Sequence, residues 1–427
     1  MFNPQYKYKV AVIGSGISGI SSAWFLSQQH EVTLFEKNDY IGGHTHTVDV
    51  NLNGQTAAVD TGFIVYNEPN YPLLKALFKH LNIATDPTDM SFAVTVDNGR
   101  LEYAGNNLNT LFVQRKNLFS LRHWRMILDI LRFNKQAKSD LKQGLSPDLS
   151  LQTYLEQHGF SQTMQQDYLL PMAAAIWSCP TETMLQFPAS SFLQFFANHG
   201  LLNVNDRPQW RTVHNGSRQY LEAIIKLATF DIIQHAVTDV MPPPSGEGKV
   251  RLISADGVVH EFDQVVFACH ADEVATLLKD KGFELLNAFK YQANQAWLHT
   301  DIKQMPQRRS AWASWNYLSG KQREGQRAVA VSYWMNKLQT LPIKQDVFVT
   351  LNPITPPDAD KVVACFDYHH PVFDRDAIAA QAKLPGLQGH KNCWFAGSYF
   401  GYGFHEDGLA SGANIARLWH ITLPWEH

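Results

Sequence analysis

Cysteine is scarce in this sequence. The four thiols, Cys179, Cys269, Cys365 and Cys393, lie far apart with no CxxC pair. That pattern excludes a disulfide framework and a zinc-finger-type ligand set and fits ordinary thiols in a reducing cytoplasm. An excess of charge of one sign is lacking too: the formal net charge is −3, so nothing marks the whole chain as a nucleic-acid binder. Apolar runs are short and broken by charge, so no segment reads as a transmembrane helix. Met1 to Lys9 is polar where a secretory leader needs an apolar core; a strand follows at once, and no domain is expected ahead of it. There are no internal repeats and no low-complexity segment. What is present is 427 residues, 45% of them hydrophobic. That is more than one core usually holds, and two lobes are expected.

The opening reads as strand, turn, helix, strand. Residues 9–13 (KVAVI) form a short apolar strand, 17–28 carry Ile17, Ile20, Ala23, Trp24 and Leu26 at helical spacing, and 31–35 (EVTLF) form a second strand. Between the first strand and the helix stands Gly14-Ser15-Gly16-Ile17-Ser18-Gly19. In this context the first glycine permits the tight turn, the second lets backbone approach a pyrophosphate, and the third lets helix and strand pack closely. The helix N-terminus offers unpaired N–H groups to the phosphates. Glu36, followed by Lys37, ends the second strand; its carboxylate suits ribose hydroxyls and repels a 2′-phosphate. A dinucleotide site is therefore expected, without a choice between NAD and FAD.

Further along, residues 70–81 read as a helix, 249–254, 258–262 and 264–268 as strands with Asp256-Gly257 as a hairpin turn, 328–334 and 347–351 as strands, 392–397 as a last strand and 409–419, beginning at Leu409, as a last helix. The order predicts an α/β protein: a doubly wound Rossmann-like domain in pieces (1–70, 212–290 and 388–427), with an α+β substrate domain (71–211 and 291–387) inserted between them.

Three further segments carry a resemblance. Ile41-Gly42-Gly43-His44-Thr45 resembles the Gly-Gly-Arg signature that follows the second strand in the amine oxidase and protoporphyrinogen oxidase superfamily, with His44 in the Arg position. Asp60-Thr61-Gly62-Phe63-Ile64 resembles the segment beside the isoalloxazine ring. Trp394-Phe395-Ala396-Gly397-Ser398 and Gly401 to Gly412 resemble the closing FAD motif. The resemblance implies non-covalent FAD held by Gly14 to Gly19, Glu36, Lys37, Gly42 to Thr45, Thr61, Gly62 and Phe63. It also implies that Val237 pairs by its backbone with adenine, that Gly397 and Ser398 lie at the ribityl chain, with Ser398 replacing the usual acid, and that Asp407 caps a helix whose N-terminus from Gly408 faces the flavin.

The strings Gly42 to Thr47, Asp60 to Asn67 and Gly401 to Gly408 are also similar to a narrower group of bacterial FAD/NAD-binding oxidoreductases, and to the flavoprotein domain fused ahead of plant cyclopropane fatty acid synthases. That likeness implies oxidation or desaturation of an acyl chain or other apolar substrate, and a lipid methyltransferase as partner. Amine or polyamine oxidation, redox-neutral double-bond isomerisation and a non-catalytic flavoprotein partner stand as alternatives. His405 is the acid/base candidate by position, and Tyr399 and Tyr402 are candidates for the wall of the catalytic pocket.

Residues 111–138 combine Arg115, Lys116, Arg122, Arg125, Arg132, Lys135 and Lys138, against one Asp129, with Leu118, Phe119, Leu121, Trp124, Ile127, Leu128, Ile130, Leu131 and Phe133. Such a helix either packs on the second lobe with a solvated basic face, which the unbiased charge of the rest of the chain favours, or lies in an anionic membrane interface. A cytoplasmic protein, in the second case peripheral at the inner membrane face, is expected.

Overall fold

The computed structural model describes residues 6–146, 148–177, 184–203, 207–227, 229–320 and 328–426; Cys179 lies outside them. Five short strands make a parallel sheet in the order Asp231–Ile233, Glu31–Phe35, Lys9–Ile13, Gln264–Phe267, Cys393–Phe395. Their sequences are mostly apolar because both faces of a parallel sheet are covered. The pleat sends Val10, Val12, Leu34 and Val266 to one core, with the helices Ile17–Ser27, Pro72–His80, Arg218–Leu227 and His405–Leu418. Ala11, Ile13, Phe35, Val265 and Phe267 go to the other, against the antiparallel ribbon Val237–Met241, Val250–Ser254, Val259–Phe262. Lys9–Ile13 sits mid-sheet, and chain order reverses around it. The carboxyl ends of the strands therefore open on the crevice where this architecture holds a ligand.

The second body is a seven-stranded sheet ordered Val362–Val372, Lys290–His299, Phe348–Leu351, Val329–Trp334, Trp315–Ser319, Phe92–Val96, Leu101–Ala104. It is antiparallel except where Trp315–Ser319 runs parallel to Phe92–Val96. Helices including Leu121–Gln143 and Ala189–Asn198 build one core with it. The hairpin Thr47–Leu52/Gln55–Asp60 packs into another, with Val50 and Val59 against Leu298 and Val349.

The division at residues 71 and 388 does not follow the cores. Leu74, Leu77 and Phe78 of Pro72–His80 pack with the first lobe, as do Ala377 and Ala380 of Arg375–Gln381, while the hairpin at 47–60 packs with the second. The two lobes share segments because these elements bridge them.

Candidate active site

The crevice begins at the glycine turn. Gly14 has φ +100° and lies against the backbone of Ala268, and a Cβ on Gly19 would sit 1.8 Å from the Gly14 carbonyl oxygen, so close helix–strand packing needs both glycines. A Cβ on Gly16, by contrast, meets nothing within 4 Å: its face is open. The helix behind it has no acidic residue in its first turn and no side-chain cap, and Ile17 and Ser18 lead it. Such an N-terminus is built to receive an anion. Glu36 is buried. It accepts from Ser15 N–H at 2.9 Å and from the Ser15 hydroxyl through Oε2, and from Asn38 N–H at 2.8 Å through Oε1. A carboxylate has about four acceptor sites, so one is left for a ribose hydroxyl. Lys37 is turned elsewhere, its ammonium paired with Glu273. Val237 opens the ribbon strand opposite Ser254, just after the edge strand whose Ile233 carbonyl accepts Glu36 N–H.

The second glycine segment closes over the first. Gly42 and Gly43 have φ +131° and +57°, and a Cβ on Gly43 would lie 3.1 Å from Gly16 Cα. Thr45 is fixed by its N–H to the Gly42 carbonyl at 2.9 Å. The His44 carbonyl accepts Phe63 N–H at 2.7 Å. Gly62 runs so close beneath it that a Cβ there would meet His44 O at 2.2 Å. This brings Thr61, Gly62 and Phe63 beside His44. Its ring nitrogen Nε2 is buried without a hydrogen-bond partner. An orphaned buried polar atom of this kind has a hydrogen bond left to make with a ligand.

Around His44 stands a group that sequence reasoning did not single out. Its ring stacks on Tyr368 at 5.0 Å, and lies 5.3 Å from His370 and 6.0 Å from His270. Burial first, then neighbouring imidazoles, push His44 down to about 3; burial also lowers His370 and His270 to about 3. These rings are neutral, so the fixed charge of the Arg in the related signature is not reproduced. Asn294 donates to His370 Nδ1 at 3.0 Å. Thr61 and Tyr368 share a 2.8 Å hydrogen bond, and both reach His46 Nδ1 at 3.0 Å. No metal-ligating group of His, Cys, Asp or Glu forms among the described residues. The available signal was the His369-His370 pair, but the strand carrying it reaches the crevice only through long-range pairing with Lys290–His299.

The closing motif differs from expectation in its helix. The helix starts at His405, not at Gly408 or Leu409, and its N-cap is Phe404. Asp407 sits three residues in and reaches back to accept the N–H groups of Tyr402 and Phe404 at 2.9 Å each. Gly408 and Leu409 are buried inside the helix, and a Cβ on Gly408 would press on Ile17 at 2.7 Å. Gly408 therefore packs the last helix on the first, and the first residues of this helix are His405 and Glu406. Glu406 accepts Leu73 and Leu74 N–H at 2.7 and 3.0 Å, capping Pro72–His80 from a distance.

His405 is placed by three contacts. Its ring stacks on Phe63 at 3.8 Å between centroids, 7° from parallel. Its Nε2 is 2.7 Å from the Tyr220 hydroxyl and 3.3 Å from Thr45 Oγ1, and Thr45 and Tyr220 are hydrogen-bonded to each other. Burial pushes His405 down to about 3. The ring is neutral and its Nε2, the Tyr220 hydroxyl and the Thr45 hydroxyl form one buried hydrogen-bonded cluster.

The two tyrosines separate. Tyr399 is 1% exposed, packs on Phe289 and Phe400, and leaves its hydroxyl buried without a partner. It is core and cannot wall a pocket, because the turn Ser398–Phe400 points it into the sheet's second face. Tyr402 does line a cleft of about 250 Å³, with Trp177, Phe187, Ser191, Phe373, Ile378, Gln381, Phe400 and Gly401. Gln381 holds this loop through the carbonyls of Tyr399 and Gly401 at 2.9 and 2.6 Å. Gly397 donates its N–H to Ser411 Oγ at 2.8 Å, and the Ser398 carbonyl accepts Gly401 and Gly403 N–H at 3.1 Å each. Trp312 and Trp334 lie away from the cleft, packed on each other under Arg309.

The open face at Gly16, the uncapped helix N-terminus and the orphaned His44 nitrogen fit a dinucleotide with a diphosphate bridge. Comparisons with known proteins give the same answer. The computed fold is similar to the crystal structure of a CLA-producing fatty acid isomerase from P. acnes (TM-score 0.67, 14% identity, 98% of this chain and 99% of that one). It is likewise similar to putrescine oxidase bound to putrescine (TM-score 0.65, 14% identity, 98% and 100%). At these identities the likeness concerns the fold. In sequence, 87 residues are 37% identical to the Mycobacterium tuberculosis protein AofH, assigned as a flavin-containing monoamine oxidase, covering 20% of this chain and 18% of that protein. The chain thus matches less than a fifth of that relative's length. The model for flavin-containing amine oxidoreductases matches residues 17–418, nearly the whole chain and every segment of the crevice beyond the first turn: the protein belongs to the flavin-containing amine oxidoreductase family and is an FAD-dependent oxidoreductase.

Proposed function

We propose that this FAD-dependent oxidoreductase acts on an uncharged, apolar substrate of the acyl-chain type. The observation that carries the reading is the cleft at Phe400–Tyr402: its lining is aromatic and aliphatic with Ser191 and Gln381, and no carboxylate is among the described residues that line it. An ammonium substrate needs an anionic or carefully aimed aromatic receptor. The carboxylates of the closing motif, Glu406 and Asp407, are already bound to backbone N–H groups.

The residues that would hold FAD are the turn Gly14 to Gly19, Glu36, Gly42 to Thr45, Thr61 to Phe63, Ser398 and the N–H groups that begin His405–Leu418. Bound FAD supplies a two-electron acceptor for hydride. The chain's own contribution is to orient and to manage a proton. His405 stays neutral and can accept a proton only as its surroundings become more polar or anionic, with Tyr220 and Thr45 holding the ring through Nε2. The apolar cleft excludes water from the reacting carbon.

The test is anaerobic titration of the FAD-loaded protein with phospholipids carrying unsaturated chains, then with diamines and polyamines, following the flavin absorbance. Bleaching by acyl lipid alone is expected. Bleaching by polyamines alone overturns the reading, and a shifted double bond in the lipid without consumption of any electron acceptor replaces net oxidation by isomerisation.

A further inference from the structure

The helix Leu121–Gln143 has two apolar faces. Its inner one buries His123, Met126, Phe133 and Ala137 in the helical core of the second lobe. A surface helix should then be polar on the far side. Instead Leu121, Trp124, Leu128 and Leu131, spaced three, four and three residues apart, form an outward stripe exposed by 88%, 42%, 63% and 48%. The turn before it extends the stripe with Leu118 and with Phe119, which is 91% exposed. Trp124 Nε1 donates to the Leu118 carbonyl at 2.9 Å, locking turn and helix into one surface. Single exposed apolar residues need no explanation, but a continuous row of six does.

The charge beside the stripe is of one sign. Lys116, Arg125 and Lys135 are exposed and make no ion pair among the described residues. Asp129 and Asp167 are buried and already paired, with Arg132 and with Arg122 and Arg100. A protein partner for an apolar row would not by itself require this basic rim. An anionic bilayer does: acyl chains accept the leucines and phenylalanine, the headgroup level suits Trp124, and lipid phosphates attract the rim. No helix among the described residues is long and apolar enough to cross a membrane, so the contact is peripheral. We propose that Leu118–Leu131 is a docking surface for anionic lipid membranes. It stands independently of the substrate reading, since it uses none of the crevice residues.

The experiment is co-sedimentation of the full-length, FAD-loaded protein with phosphatidylcholine vesicles, with and without phosphatidylglycerol, at low and high salt. Binding is expected only to the anionic vesicles and is expected to weaken with salt. Phe119→Ser/Leu121→Ser/Leu128→Ser abolishes it. Arg125→Gln/Lys135→Gln weakens it about tenfold. All five positions are exposed, so the flavin spectrum and melting temperature of the variants should match wild type, which separates lost docking from lost folding. Equal pelleting of wild type and the triple variant overturns the proposal. So does a wild-type dimer that the triple variant converts to monomer, with no vesicle binding by either, which makes the face a contact between copies.

Discussion

Tyr220, on a helix of the nucleotide lobe, shares a hydrogen bond with His405 Nε2 at 2.7 Å, across 185 residues of sequence. The contact orients a ring that also stacks on Phe63. If this network moves or holds the proton in turnover, Tyr220→Phe lowers kcat roughly ten- to a hundredfold and displaces the pH–rate profile. KM and FAD content should hold. Unchanged kcat and pH profile would reduce Tyr220 and His405 to packing.

Gly16 and Gly19 are two residues of one motif with opposite burdens. A side chain on Gly16 enters open space, and Gly16 has φ −59°, which any residue adopts. A side chain on Gly19 strikes the Gly14 carbonyl at 1.8 Å. Gly16→Val should therefore yield folded protein with wild-type secondary structure and no bound FAD. Gly19→Val should yield insoluble or unfolded protein. Circular dichroism together with the ratio of flavin to protein absorbance separates the two outcomes. Retained FAD in Gly16→Val would move the diphosphate away from this turn.

Much of this crevice was readable in the chain because it is built from local signals. The strand–turn–helix around Gly14, the strand ending at Glu36, the hairpin at Asp256-Gly257 and the helix over Pro72–His80 each follow from period, turn chemistry and glycine placement within a few residues. What escaped depends on distant pairing. His370 and Tyr368 reach His44 because an eleven-residue strand, Val362–Val372, pairs with Lys290–His299, and no local pattern reports that. The last helix began four residues before Leu409, at His405, because Asp407 works as the third residue of the helix reaching back, a geometry an Asp shares on paper with an N-cap. Tyr399 and Tyr402, three residues apart in one glycine-rich string, went to a core and a cleft because the intervening turn reverses direction.

Tyr399 gives the plainest separation of core from catalysis. Its hydroxyl is buried without a partner, and burial raises its pKa well above the ordinary tyrosine value, so it does not ionise. An unpaired buried polar group costs about 1–3 kcal/mol. Tyr399→Phe should match or exceed wild type in melting temperature and leave kcat unchanged. A fall in either would reveal a partner for the hydroxyl in the FAD-loaded protein.

Glu406 supplies a stability effect of definite sign. Burial raises its carboxyl to about 7, against opposition from the Leu73 and Leu74 N–H groups. Its ordinary value is 4.5, so the folded state holds the proton over a range where the unfolded chain has released it. The contribution to stability is therefore fully present below pH 4.5 and is lost as pH rises through about 7. Glu406→Gln keeps one acceptor oxygen for the helix Pro72–His80 and carries no charge at any pH. The variant and wild type should agree within roughly 1 kcal/mol at the acidic end, and wild type should then lose ground to the variant as pH rises to neutrality. Thermal melts of both proteins across this range measure the gap directly. A gap that moves the other way would mean that the partial positive charge at the start of Pro72–His80 outweighs burial, and that Glu406 is an ionised cap throughout.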